Sequence, residues 1–171
     1  MPYLVAAVVL LGALCLVNLL LTLGILRRMR ADAAGPGAPF ALRPGARVAG
    51  FEAVTTADET VSAAGLSGTV GFFSAGCEPC HELLPRFIEH AREVGRDRVL
   101  AVVGGDDPAL LEALAPVARV VAADPDGGPV ARAFQNTWTP ALYRVEDGRV
   151  TATGARVEEL APARERAAAR G

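Results

Sequence analysis

Lysine does not occur in this chain of 171 residues, so all 17 basic side chains are arginine. With abundant alanine and glycine, that bias reads as a property of the coding sequence and excludes nothing about function. A basic excess is also missing. The formal net charge is −2, and once Arg27, Arg28 and Arg30 are set aside the remainder carries 14 arginines against 19 acidic residues, a balance of −5 that argues against a nucleic-acid partner. Histidine occurs only twice, at His81 and His90, and cysteine three times. Two cysteines and two histidines on one helical stretch lack the split pairs of a structural zinc site, so no metal is expected. No internal repeat is present. The length suffices for one domain with a real core, plus accessories.

The first thing present is a long apolar run. Residues 3 to 26 carry no charge and one strongly polar side chain, Asn18; as a helix they would reach roughly 36 Å, enough to cross a bilayer with some tilt. The expectation is a single-pass transmembrane helix embedded in membrane lipid. The alternative, a cleaved signal peptide, wants basic residues ahead of a shorter apolar core and a small-residue cleavage site behind it, whereas only Met1 and Pro2 precede this run. Cys15 lies inside the run and reads as a small membrane-embedded hydrophobe, which leaves two cysteines for chemistry. The three arginines after the run place the soluble part in the cytoplasm by the positive-inside tendency. Tethered disulfide chemistry fits better outside, where disulfides persist, so the side of the membrane stays open. Residues 27 to 45, rich in Ala, Gly and Pro without periodicity, are expected to form a flexible tether to a domain over 46 to 171.

Within that domain the informative residues are Cys77-Glu78-Pro79-Cys80-His81. The apolar, β-favouring run from Thr69 to Ser74 precedes them, and Leu83, Leu84, Phe87, Ile88 and Ala91 recur behind them at helical spacing. Two thiols so placed, at a strand-to-helix turn, can cycle between dithiol and disulfide. The free N–H groups and positive dipole end of a helix favour an anion and so lower the pKa of a thiol there, which makes Cys77 the expected nucleophile. Cys80, one turn on and facing inward, is the expected resolving thiol. Glu78 opposes part of the helix effect through its negative charge, Pro79 lies between the thiols, and His81 is a surface residue whose charge mildly favours the thiolate.

The rest of the chain alternates strand and helix and then changes pattern. A small hairpin is expected from Phe51 to Val54 and Glu59 to Val61, a helix from the cysteines to about Val94 kinked by Pro85, and a buried strand from Arg98 to Val103. Asp107-Pro108 reads as an N-cap followed by proline at the first helical position, opening a helix over Ala109 to Ala115. A strand over Ala118 to Ala122, a turn over Asp124 to Gly128 and a short helix over Pro129 to Phe134 follow. Strands over Ala141 to Val145 and Arg149 to Thr153 flank the hairpin signal Glu146-Asp147-Gly148, and an alanine-rich helix is expected from Glu158 to Arg170. The implied architecture is α/β, a mixed sheet covered by helices on both faces.

Gly71-Phe72-Phe73-Ser74, the cysteine pair, Leu83-Leu84-Pro85 and the downstream Thr139-Pro140 together resemble the thioredoxin fold in its membrane-anchored TlpA-like group. The stretch from Phe72 to Pro85 is similar also to the disulfide-handling accessory proteins of methylamine utilisation. The resemblance covers roughly residues 46 to 165. It departs at Gly76, where TlpA-like reductases often carry tryptophan, and at Leu83, where several carry glutamate. It implies a thiol-disulfide oxidoreductase that needs no cofactor and exchanges disulfides with protein partners. It further implies that Thr139-Pro140 is a cis peptide loop facing the cysteines, with the Thr139 backbone pairing with an extended substrate segment. Trp138 beside it reads as a substrate platform over the disulfide or as partial core.

Other readings compete. The motif also fits the CxxCH pattern of covalent haem attachment, which would make the protein a membrane-tethered c-type electron carrier; against this, it follows a β-strand and no methionine lies downstream as a sixth ligand. Ser74, three residues before Cys77, resembles the peroxiredoxin placement, but Val70 stands where the proline would be. A binding module with idle thiols is the non-enzymatic alternative. A purely structural disulfide closes too short a loop to constrain the unfolded chain much.

Overall fold

In the computed structural model the described residues are 42–161, together with Leu11, Gly12, Leu14, Cys15, Asn18, Leu19 and Thr22 of the apolar run. These latter residues are helical and exposed, and Thr22 Oγ1 donates to the Asn18 carbonyl at 2.9 Å. Among the described residues no helix is long and apolar enough to cross a membrane. The rest of the expected span lies outside the described residues, as do most of the expected tether and residues 162–171.

The strand-to-helix unit around the cysteines forms the centre of the domain. Two short strands, β1 (Glu52–Val54) and β2 (Thr60–Ser62), pair antiparallel as the expected entrance hairpin. The apolar run becomes β3 (Gly68–Ser74), buried along its length except at Ser74. The 17-residue helix α1 (Glu78–Val94) follows, then β4 (Val99–Gly104), α2 (Pro108–Leu114), β5 (Arg119–Ala123) and α3 (Gly128–Phe134). Strands β6 (Ala141–Glu146) and β7 (Arg149–Gly154) close a five-stranded sheet of order β5-β4-β3-β6-β7. β3, β4 and β5 run parallel, whereas β6 and β7 run antiparallel to their neighbours. The sheet is therefore mixed, as expected. The turn between β6 and β7 is Asp147-Gly148, both at positive φ (50° and 69°), the combination a two-residue hairpin with right-handed strand twist demands.

Alternation along β3 sorts the core into two faces. Phe73 points to the α1 side, where its ring meets that of Phe87 edge-on at 5.0 Å in a cluster with Cys80, Leu83, Ala91, Leu110 and Leu114. Phe72 points the other way and meets Phe134 of α3 and Tyr143 of β6 at 5.4 and 5.7 Å. Helices thus cover both faces. Asp107 caps α2 as its sequence suggested, Oδ1 accepting from the Leu110 N–H at 3.1 Å with Pro108 at the first position.

Two expectations shift at the edges. Leu42 is buried and the Gly45 N–H donates to the Val150 carbonyl at 2.7 Å, so the folded unit takes in the last residues of the stretch read as tether. At the other end the described part of the alanine-rich segment is a single 3-10 turn, Val157–Leu160, and no α-helix begins at Glu158. The cause is local: Leu160 is buried and Glu159 Oε2 accepts from the Ala155 N–H at 2.8 Å, which ties the turn to the end of β7.

Candidate active site

The two cysteines stand where strand becomes helix. β3 ends at Ser74, and Gly76, at φ +69°, makes the turn in the left-handed region that glycine favours. Any L side chain at this position would carry that backbone strain. Cys77 is the N-cap of α1 and Pro79 lies in its first turn, where a missing N–H costs nothing. Cys77 is partly exposed and Cys80 is fully buried, and the two are joined as a disulfide, Cα to Cα 5.2 Å. The Cys80 N–H is shared between the Cys77 carbonyl at 3.0 Å and Cys77 Sγ at 3.2 Å, so an amide of the first helical turn reaches the outer sulfur.

Of the modulating residues, Glu78 and Pro79 are exposed. His81 is exposed too, and its Nε2 lies 3.5 Å from Asp107 Oδ2, on the same carboxylate that caps α2. This arrangement bears on the haem reading. Cys80, in the first turn of α1, is fully buried and His81 turns to a carboxylate, so in this structure the two sulfurs and the imidazole do not share one open surface.

The second side of the site is the loop before β6. The Thr139-Pro140 bond is cis, Pro140 is buried and Thr139 partly exposed. Ser74 Oγ and Thr139 Oγ1 are 2.6 Å apart, which fastens the loop to the strand end that leads into Cys77. Ser74 is thereby occupied as a link between the two sides. Trp138 is 54% exposed, so it is not core. A groove of about 240 Å³ opens beside it, floored by Phe72, Phe73 and Val102 and rimmed by Ser74, Asp126 and Thr139. A larger cavity of about 650 Å³, between β1, β5 and the start of α3, has none of these groups in its wall.

Three contacts were not visible in the sequence. Asp107 meets His81, Ser74 meets Thr139, and the buried Asn136 joins the loop to Tyr143, donating from Nδ2 to the Trp138 carbonyl at 2.8 Å while Oδ1 accepts from the Tyr143 hydroxyl at 3.0 Å. No local signal marks any of them, since each partner is brought by a different element. Burial pushes the Tyr143 phenol above its ordinary range, which keeps it a donor. Burial likewise lowers the pKa of His90, on the far part of α1, where Nε2 is 2.9 Å from Thr69 Oγ1; Glu93 opposes the shift and Arg144 adds to it.

A mixed five-stranded sheet, a disulfide at the start of the first long helix and a cis-proline loop bonded to the adjoining strand together constitute the thioredoxin fold. Solved structures agree. The thioredoxin domain of a thiol-disulfide oxidoreductase from Bacteroides vulgatus is 18% identical with a TM-score of 0.54, over 70% of this chain and 94% of that one. A thiol:disulfide interchange protein from Bacteroides sp. is 19% identical with a TM-score of 0.54, over 70% and 86%. A thio-disulfide isomerase from Thermus thermophilus is 20% identical with a TM-score of 0.51, over 75% and 94%. No protein-family model matches the chain, and no curated relative matches its sequence.

Proposed function

We propose that the chain is a membrane-anchored thiol-disulfide oxidoreductase that exchanges disulfides with protein partners through Cys77 and Cys80. The observation that carries this reading is the asymmetry of the pair: one sulfur partly exposed at the N-cap of α1, its partner fully buried beneath it. In the reduced protein the Cys77 thiolate, favoured by the helix terminus, attacks a partner disulfide and expels one partner thiolate. Cys80 then attacks Cys77 Sγ, expels the second partner thiolate and closes the internal disulfide, so two electrons pass to the partner. Run in reverse, a partner thiolate attacks the exposed Cys77 sulfur and the pair carries the electrons away. No cofactor enters either direction. The Thr139 backbone and Trp138 supply the surface against which an extended partner segment lies.

Residues 3 to 26 form the anchor in this reading, with the domain on a tether at the membrane surface. Impermeant thiol reagents applied to intact cells carrying cysteines introduced at 31–40 report which face it occupies. The exchange chemistry is tested by trapping. Cys80→Ser is expected to accumulate covalent complexes with partner proteins that reductant dissolves, and Cys77→Ser to accumulate none. Equal recovery from both variants would reject the assigned roles, and recovery from neither would favour a binding module with idle thiols.

A further inference from the structure

The loop that would receive the partner is held by a residue with no part in the exchange itself. Asn136 is 6% exposed, and both ends of its side chain amide are committed. A backbone carbonyl can only accept, so the NH2 group must face the Trp138 oxygen at 2.8 Å, which leaves Oδ1 to accept from the Tyr143 hydroxyl at 3.0 Å. Tyr143 is itself fixed, fully buried on β6 with its ring 4.9 Å from Phe134 and 5.7 Å from Phe72. The carbonyl so anchored belongs to the exposed tryptophan and is one residue before Thr139-Pro140.

We infer that Asn136, braced by Tyr143, is a positioning residue for macromolecular substrates: it sets the Trp138 and Thr139 main chain at the angle an extended polypeptide must meet. The inference rests on the oxidoreductase reading above. It separates two kinds of disulfide. A polypeptide has to align along the loop to bring its sulfurs to Cys77, whereas a small disulfide has only to reach the exposed sulfur.

The test compares reduced full-length protein reacting with insulin, as a protein disulfide, and with glutathione disulfide, each electron pair passing from Cys77 and Cys80 to the added disulfide. Asn136→Asp keeps an acceptor for Tyr143 but offers the Trp138 carbonyl no donor. Its insulin rate is expected to fall about tenfold further than its glutathione rate, as expected for one lost hydrogen bond felt only on docking. Tyr143→Phe removes only a hydroxyl among aromatic neighbours and should shift the ratio the same way by less; it decides the matter alone if the aspartate variant does not fold. Equal losses with both disulfides in the folded variants would overturn the positioning role and leave the oxidoreductase reading standing. If the wild-type protein reacts with neither, the oxidoreductase reading falls and this assignment falls with it.

Discussion

The two sides of the site are built in opposite ways. On the helix side the groups that do chemistry are neighbours in sequence: Cys77 caps α1, Cys80 follows one turn later, and the amide that aims at the outer sulfur belongs to the inner cysteine. On the loop side the ties reach across elements. Thr139 is tied to Ser74 across 65 positions, and the Trp138 carbonyl is held by an asparagine that itself leans on a tyrosine of β6. A sulfur pair so placed therefore needs little more than a strand, a turn and a helix, while the loop proposed to receive the partner depends on the assembled fold.

The largest effect is expected beneath α1. Phe87 is fully buried against Phe73 and next to Cys80 in the core, so Phe87→Ala is expected to lower the unfolding free energy by about 3–5 kcal/mol, measured by urea denaturation of the oxidised protein in detergent. A loss below about 1 kcal/mol would mean that the caps rather than packing hold the helix in place. The next largest effect comes from the link between the two sides. Ser74→Ala removes the partner of the Thr139 hydroxyl, and because that group is partly exposed and water can replace the serine, the expected cost is about 1 kcal/mol in the same assay. A null result would show that the loop is held by its main-chain anchor alone.

What could be read from residues in a row follows the same division. The buried run of β3, the helix behind the cysteines, the Asp107-Pro108 cap and the Asp147-Gly148 turn all carry their cause in local chemistry, and the structure places them within a residue or two of expectation. The segment after Arg156 shows the limit. Its alanines favour helix, but a buried leucine and a glutamate reaching back to Ala155 impose a 3-10 turn over Val157–Leu160. Asn136 and Tyr143 were illegible for a related reason. An asparagine ahead of a proline reads as turn chemistry, and a tyrosine in an apolar strand reads as core. Only the fold, which brings the loop back against β6, shows that the two meet.

A smaller effect is expected on α1 far from its cysteines. His90 reaches Thr69 at the start of β3, at the opposite end of that strand from Ser74, and burial holds its imidazole pKa below the ordinary 6.5. Above pH 6.5 the ring is neutral in both folded and unfolded chains and its contribution to stability is complete. As the pH falls below 6.5 the unfolded chain takes up a proton that the folded chain still refuses, so stability declines until the lowered folded pKa is passed. Urea midpoints of the wild-type protein at pH 7.5 and 5.5 should therefore differ by more than those of His90→Gln, which keeps a polar partner for Thr69 but does not titrate. Matching slopes for the two proteins would show that the neutral ring is not what Thr69 selects. A slope that instead vanished in Ser74→Ala would place the acid-sensitive contact at the loop and erase the division between the two sides.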